Sequence, residues 1–135
     1  MRVYELFIAP FEQSVAWSDR GVQGCSRFLG RYWNLVAELL EAQGSGVPAD
    51  EGEAEKGRAL QRTLHKTIRK VTSDLDERFH FNTAIAATME LVNAIQAFTP
   101  KNAPENGPVL REALESVVRL LAPFVPHFAA ELWEA

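Results

Sequence analysis

The stretch from Arg62 to Leu91 reads RTLHKTIRKVTSDLDERFHFNTAIAATMEL. In its first half, apolar residues recur at helical spacing among basic ones, which predicts an amphipathic helix. A short break, HFNT, follows, and the only charge between Asn82 and Thr99 is Glu90. A helix that is apolar all round is buried at the centre of a bundle. The stretch therefore predicts a basic amphipathic helix followed by a central one.

Start and stop signals extend this pattern in both directions. Ser18 suits the N-cap of a long helix that ends near residue 42. The basic helix is expected over about residues 54–78. The apolar helix should then be capped by Asn82 and run through Phe98.

The C-terminal third of the chain predicts two more helices. Pro108 fits the first turn of one helix, and Pro123 should end it. Pro126 can open a last short helix. Residues 3–8 are apolar enough for a short helix end, which Pro10 stops. No segment shows strand alternation with hairpin signals, so we expect an all-α antiparallel bundle of four to five helices.

Glycines mark the first long helix and the loops. Gly21, Gly24 and Gly30 each weaken that helix by up to ~1 kcal/mol relative to alanine, and close helix packing is one reason to tolerate them. Residues 44–52, GSGVPADEG, have the composition of a flexible loop. Residues 99–107 form a second predicted loop. We expect residues 1–135 to form a single domain.

Composition sets broad limits on function. The 135 residues carry a formal net charge of −4 and are 47% hydrophobic, as in an ordinary soluble domain. No apolar run approaches the ~20 residues that cross a bilayer, so no membrane partner is expected. Cys25 is the single cysteine, which excludes an internal disulfide and favours a reducing, cytoplasmic setting.

The sequence contains no catalytic constellation. Glu77 and His80 have the Glu-x-x-His spacing of di-iron bundles, but such sites need two motifs and further carboxylates. Phosphate-binding glycine loops, nucleophile elbows and paired-cysteine zinc patterns do not occur. We predict no catalytic residue, no metal site and no cofactor in this chain.

Basic residues form the strongest candidate for a binding site. Between Lys56 and Lys70 there are six basic residues and no acidic one. Arg58, Arg62, Lys66 and Arg69 fall within about 80° of one another on a helical projection, opposite the apolar stripe, and Lys70 flanks them. Such a ridge can follow phosphates, although a solvated outer face is the ordinary alternative.

A second basic face is predicted on the first long helix. Arg20, Arg27 and Arg31 share one side, opposite the apolar stripe, and arginine suits bidentate phosphate contacts. If the two long helices pack together, as we expect, their basic faces would form one continuous track.

Three segments carry a family pattern, and the first two are VYELFIAPFEQSVAWSDRGVQGCSRFLGRYW and LHKTIRKVTSDLDERFHFNTAIAATMELVNA. These segments resemble leucyl-tRNA synthetases, a branch of the class I synthetases. The third, LREALESVVRLLAPFVPHFAAELWE, is also similar to the valyl, isoleucyl and methionyl enzymes, so the equivalent domain of one of those enzymes is an alternative. The resemblance covers nearly the whole chain and implies the anticodon-binding-domain type of helical bundle.

The resemblance also implies a larger parent enzyme. That enzyme would attach leucine to its tRNA using ATP with magnesium, in a catalytic domain whose HIGH-type and KMSKS-type signatures are missing here. Residues 1–18 would lead in from that domain, which is an expected partner in the same polypeptide. A C-terminal extension would follow Ala135. The chain alone is therefore expected to be inactive, and to act in the cytoplasm.

The partner that the resemblance implies is leucine-specific tRNA, bound through its backbone. A scaffold for the catalytic domain with minor tRNA contact is one alternative, and an unrelated protein-interaction module is another. The predicted tRNA-binding residues are Arg27, Arg31, Arg62, Lys66, Arg69 and Lys70.

Overall fold

A computed structural model describes residues 1–10, 12–41, 51–98 and 107–135. These residues form six α-helices and no strand, which confirms the all-α prediction. The first, short helix is the one beyond the four to five expected. The helices are α1 Arg2–Phe7, α2 Asp19–Glu41, α3 Glu51–Asp76, α4 Phe81–Ala97, α5 Gly107–Leu121 and α6 Pro126–Glu134.

The apolar helix α4 lies at the centre of the bundle, as predicted. It packs along α3 and also against α1, α5 and α2. Its buried side chains include Ile85, Leu91, Val92 and Ile95, each fully enclosed. Because α4 carries a single charge, most of its surface favours burial, and only a narrow strip that includes Glu90 and Asn93 reaches water.

The main core joins residues from α2 to α6. Tyr32 of α2 is completely buried and donates a hydrogen bond from its hydroxyl to the carbonyl oxygen of Leu114, at 2.8 Å. Burial raises the pKa of Tyr32 well above its usual value. This bond satisfies the one polar group that the ring brings into the core, and it ties α2 to α5.

A smaller apolar cluster closes one end of the bundle. Val3 and Tyr4 of α1 pack there with Cys25, Ile85 and Phe124. Serine 18 stands at the start of α2, where its amide donates to the Tyr4 hydroxyl at 2.9 Å. The predicted cap at Ser18 is confirmed, because its side-chain oxygen accepts a hydrogen bond from the amide of Gly21 at 3.4 Å.

The glycines of α2 differ in what surrounds them. A Cβ atom at Gly21 would collide with the ring of Tyr4, so close packing explains this glycine. A Cβ atom at Gly24 or Gly30 would meet nothing within 4 Å. Close packing within the described chain is therefore the wrong explanation for those two glycines.

Three predicted helix boundaries differ from the structure. Helix α5 begins at Gly107, the last residue of the predicted 99–107 loop, and the rest of that loop lies outside the described residues. Helix α3 begins at Glu51, so the last two residues of the predicted 44–52 loop are helical, and the rest of that loop lies outside the described residues. Helix α4 begins at Phe81 with His80 as its N-cap, so the predicted cap at Asn82 is wrong. The side-chain oxygen of Asn82 is buried without a hydrogen-bond partner.

The turn between α3 and α4 has a defined geometry. The amide of His80 donates to the carbonyl oxygen of Asp74 at 2.8 Å, a bond that spans six residues. Phe79 lies inside this loop with φ of 52°. Helices often end next to one residue in the left-handed conformation, most often glycine. Here a phenylalanine occupies that position, and 65% of its surface is exposed.

Candidate nucleic-acid interface

Helix α3 presents a long cationic side to solvent. Leu60, Leu64 and Val71 are buried on its opposite side and hold the helix against the core. The predicted basic ridge therefore faces outward. Its exposed members are Arg58, Arg62, Lys66, Arg69 and Lys70.

The buried side of α3 is rotated about the helix axis relative to the predicted apolar stripe. Ile68 and Leu75, expected within the buried stripe, are only half-buried, whereas Thr67 and Asp74 are buried. Threonine 67 satisfies its hydroxyl by donating to the carbonyl oxygen of Thr63 at 2.9 Å. Because the sequence pattern weighs apolar residues alone, it overlooks polar side chains that find partners within the interface.

Glu55 neutralises part of the ridge. Its carboxylate oxygens lie 2.8 Å from Nη2 of Arg58 and 3.2 Å from Nη1 of Arg62. The hydrogen bond from Arg58 is the main reason that the pKa of Glu55 falls below its usual value, and Arg62 adds to it. The stretch from Lys56 to Lys70 has no acid of its own, but Glu55 stands just before it and pairs with two of its arginines.

Asp74 ties the other end of the ridge to α4. Its Oδ2 accepts hydrogen bonds from Lys70 Nζ and from the Thr83 hydroxyl, both at 2.9 Å. Burial alone would raise the pKa of Asp74, but the hydrogen bonds from Lys70 and Thr83, together with the Lys70 charge, hold it below its usual value. Lys70 is thus committed to an internal pair, although half of its side chain stays exposed.

Lys66 and Arg69 are the least restrained cations of the ridge. Both are exposed, and neither forms an ion pair with a residue in the described ranges. Of the predicted residues on α3, these two are the most available to a polyanion, whereas Arg62 and Lys70 would first have to exchange a carboxylate partner.

The predicted face of α2 lies beside α4. Arg27 and Arg31 are exposed, and Nη2 of Arg31 donates to the side-chain oxygen of Asn93 at 3.2 Å. Both arginines line an open cavity of about 930 Å³ whose far wall includes Met89 and Gln96 of α4. Asn93 escaped the sequence analysis, because a lone asparagine on a helix gives no signal until its neighbour is known.

The two basic faces lie on either side of α4. Helix α3 packs along α4 and α5, whereas α2 approaches α1 and α4 instead of running along α3. On the α3 side, Lys56 and Thr63 line a second hollow with Ala94 and Ala97 of α4. Side chains of α2 and α3 share the main core, but the two backbones do not approach each other as closely as those of α3 and α4. Residues of α4 line the hollows beside both faces, so α4 lies between them.

The aromatic side chains near these helices have structural contacts. Trp33 is partly exposed and packs on Phe128 with ring centroids 5.8 Å apart, a contact between α2 and α6. Trp133 is stacked by the guanidinium of Arg119 at 5.1 Å. His65 is exposed beside the ridge.

The described residues bear on two other classes of site, metal centres and membrane spans. No group of three or more His, Cys, Asp or Glu side chains that could hold a metal ion occurs among them. None of their helices is both long enough and apolar enough to span a membrane.

Comparison with known proteins identifies the family. A model of the family described as the anticodon-binding domain of tRNA ligase matches residues 57–135. A leucine–tRNA ligase of Geotalea uraniireducens (strain Rf4) is 61% identical over 133 residues, and one of Syntrophus aciditrophicus (strain SB) is 47% identical over 137 residues. Each alignment covers 98% of this chain and 16% of the relative.

A solved structure gives the same answer. It is described as the crystal structure of the ternary complex of Agrobacterium radiobacter K84 agnB2 LeuRS-tRNA-LeuAMS. It matches 98% of this chain with a TM-score of 0.81 and 36% identity, over 17% of its own length.

These matches decide which family the chain belongs to. The chain spans about a sixth of the length of the leucine–tRNA ligases that it matches. The predicted resemblance to the leucyl branch is confirmed, and an unrelated protein-interaction module is excluded. The chain belongs to the family of anticodon-binding domains of tRNA ligases, and along nearly all of its length it is similar to that part of leucine–tRNA ligases.

Proposed function

We propose that this chain is the tRNA-positioning module of a leucine–tRNA ligase. One observation carries the proposal: exposed cations flank α4 on both sides, with Arg27 and Arg31 on α2 and Lys66 and Arg69 on α3. A ribose-phosphate chain lying across α4 would meet positive charge at both margins. Each phosphate that these side chains neutralise releases counterions and so favours binding.

The six predicted contact residues would contribute unequally. Lys66 and Arg69 need not leave an internal carboxylate before they bind a phosphate. Arg31 is oriented by a neutral amide, which leaves its other N–H groups available. Arg62 would have to leave Glu55, and Lys70 would have to leave Asp74. We therefore rank these last two below the rest.

The contacts would fix the position of the tRNA body without reading its sequence. Arginine and lysine groups bind phosphates, whereas base readout requires side chains placed against base edges. The exposed positions of α4 between the two faces include Asn93 and Ala97, with Glu90 as an acid. This exposed surface of α4 suits contact with an RNA backbone, and it offers few side chains that could discriminate between bases.

The chemistry would belong to the remainder of a longer polypeptide. In that arrangement a catalytic domain binds leucine, ATP with magnesium, and the acceptor end of leucine-specific tRNA, in the cytoplasm. The chain described here would hold the tRNA body for that remote site. By itself it should support neither aminoacylation nor leucine-dependent ATP–pyrophosphate exchange.

A scaffold role is the second candidate, and a separate observation favours it. Exposed apolar side chains gather around α1, the segment before α2 and the α3–α4 turn. Another domain seated on this end would remove their surface from water, at ~25 cal/mol per Å². Those side chains are Met1, Ile8, Val15, Trp17 and Phe79.

Charge reversal separates the two roles. We expect the chain to bind a leucine-accepting tRNA transcript weakly, with affinity that falls as salt rises. Changing Arg62, Lys66 and Arg69 to Glu should abolish binding and leave the thermal unfolding midpoint nearly unchanged, because all three side chains are exposed.

A matched control keeps the net charge change equal. Arg2, Arg111 and Arg119 are also exposed but lie on α1 and α5. Their reversal to Glu changes the net charge by the same amount, and it should reduce tRNA affinity much less. Equal losses in the two triple variants would show that only overall charge matters. No loss in the α3 variant would remove α3 from the contact surface and favour the scaffold role.

A further inference from the structure

Two glycines in α2 lack a structural reason within the described chain. A Cβ atom at Gly24 or Gly30 would meet nothing within 4 Å, whereas one at Gly21 would strike the ring of Tyr4. Glycine in the interior of a helix is less favourable than alanine. The packing of α2 within the described chain would therefore accept alanine at positions 24 and 30, and the helix would be more stable for it.

Both glycines line the cavity that contains the arginines of α2. Gly24, Gly30, Arg27 and Arg31 all contribute to the same opening of about 930 Å³ between α2 and α4. At 1.5 Å per residue, the two arginines are ~6 Å apart along the helix axis and the two glycines are ~9 Å apart. The bare backbone of α2 is thus exposed within the reach of two guanidinium groups.

The chemistry of the cavity favours an anionic occupant. Arg27 forms no ion pair with a described residue, and the partner of Arg31 is the neutral side chain of Asn93. Glu38, which also lines the cavity, is engaged in an interaction of its own. A guanidinium group presents a planar fork of N–H donors that matches a phosphate.

We propose that Gly24 and Gly30 let the ribose-phosphate backbone of the bound RNA lie directly against α2 at two successive places, while Arg27 and Arg31, which lie between or beside them, hold its phosphates. This inference rests on the proposed function and names the part of the tRNA that enters the cavity. A methyl group on either glycine would hold the nearest sugar away from α2. It would also remove weak Cα–H···O contacts that a bare backbone can make to ribose oxygens.

The test is a substitution that should strengthen the fold and weaken binding. In the G24A/G30A variant we expect the thermal unfolding midpoint to rise by about 5 °C, since each alanine favours the helix. Affinity for a leucine-accepting tRNA transcript should fall about tenfold, as overpacking of a fitted contact predicts. The slope of log affinity against log salt should stay the same, because no charge has been removed.

Two comparisons make the outcome decisive. Gly107, the first residue of α5, also faces open space, so Gly107→Ala adds the same methyl group elsewhere and should leave affinity unchanged. The R27E/R31E variant should lose affinity and also flatten the salt dependence. If R27E/R31E weakens binding while G24A/G30A binds like the unmodified chain, the inference is wrong and the proposed function stands. If the unmodified chain binds no tRNA at low salt, the proposed function itself fails, and the inference with it.

Discussion

At the residue scale, buried polar side chains decide how α3 and α4 fit together. Asp74 is 3% exposed and accepts hydrogen bonds from both Lys70 and Thr83. The spacing of Lys70 and Asp74, four residues apart, was a usable signal for a pair on one helix. No signal in the sequence indicated the contact between Asp74 and Thr83, because that contact depends on how α3 and α4 pack together. Sequence analysis could therefore have paired Lys70 with Asp74 along one helix, but not Asp74 with Thr83 across two.

The variant Asp74→Asn tests this contact between α3 and α4. It would weaken the bond to Lys70 and leave the ammonium group without its acid, so we expect a loss of about 1–3 kcal/mol in the free energy of unfolding. Urea denaturation at neutral pH measures the difference. An unchanged midpoint would show that the pair contributes nothing to stability.

The same pair predicts a pH dependence. Because the pKa of Asp74 is lowered in the folded chain, its contribution is complete above the unfolded pKa of ~3.9. It is lost as pH falls through the folded value. The stability difference between the unmodified chain and the Asn variant should therefore shrink below about pH 4. A difference that stays constant through this range would contradict the assignment.

Gly21 supplies a second prediction at this scale. Its added Cβ would strike the Tyr4 ring, which is buried, hydrogen-bonded to Ser18 and packed edge-on against Trp17 at 5.0 Å. We expect Gly21→Ala to destabilise the chain by about 1–3 kcal/mol, although alanine favours the helix. Thermal unfolding beside Gly24→Ala is the check, since the two changes should move the midpoint in opposite directions.

At the element scale, the helices follow from sequence more reliably than their ends. Ser18 and Pro126 marked two helix starts correctly, because capping geometry and the fixed φ of proline act locally. Asn82 was a reasonable cap by composition, yet the turn places His80 at that position. The reason is the left-handed conformation of Phe79, the residue before His80. The sequence carries no glycine at residue 79 to announce such a turn.

Phe79 makes this turn testable. A left-handed conformation costs a side-chain-bearing residue ~1–2 kcal/mol, and its exposed ring recovers little by packing. We expect Phe79→Gly to stabilise the isolated chain by about 0.5–1 kcal/mol, after the greater freedom of glycine in the unfolded state is counted. Chemical denaturation would measure the change. A loss of stability would mean that the Phe79 ring stabilises the turn more than its exposure indicates.

At the scale of the whole molecule, the position of α4 determines what the surface can bind. The sequence predicted α4 at the centre, because it has almost no charge. It did not predict that α4 would separate the two basic faces, since helical periodicity gives the direction of a face but not the order of helices around a core. The proposed tRNA-binding surface therefore consists of two groups of cationic side chains, one on each side of α4, whereas a single continuous track was expected.

The salt dependence of tRNA binding tests this two-margin arrangement most directly. Log affinity would be measured against log salt for the unmodified chain, for R27E/R31E on α2, and for K66E/R69E on α3. If both margins hold phosphates, each double variant should flatten the slope by roughly 1.5–2, the value for two lost phosphate contacts. A slope that is unchanged when either margin is reversed would contradict the account.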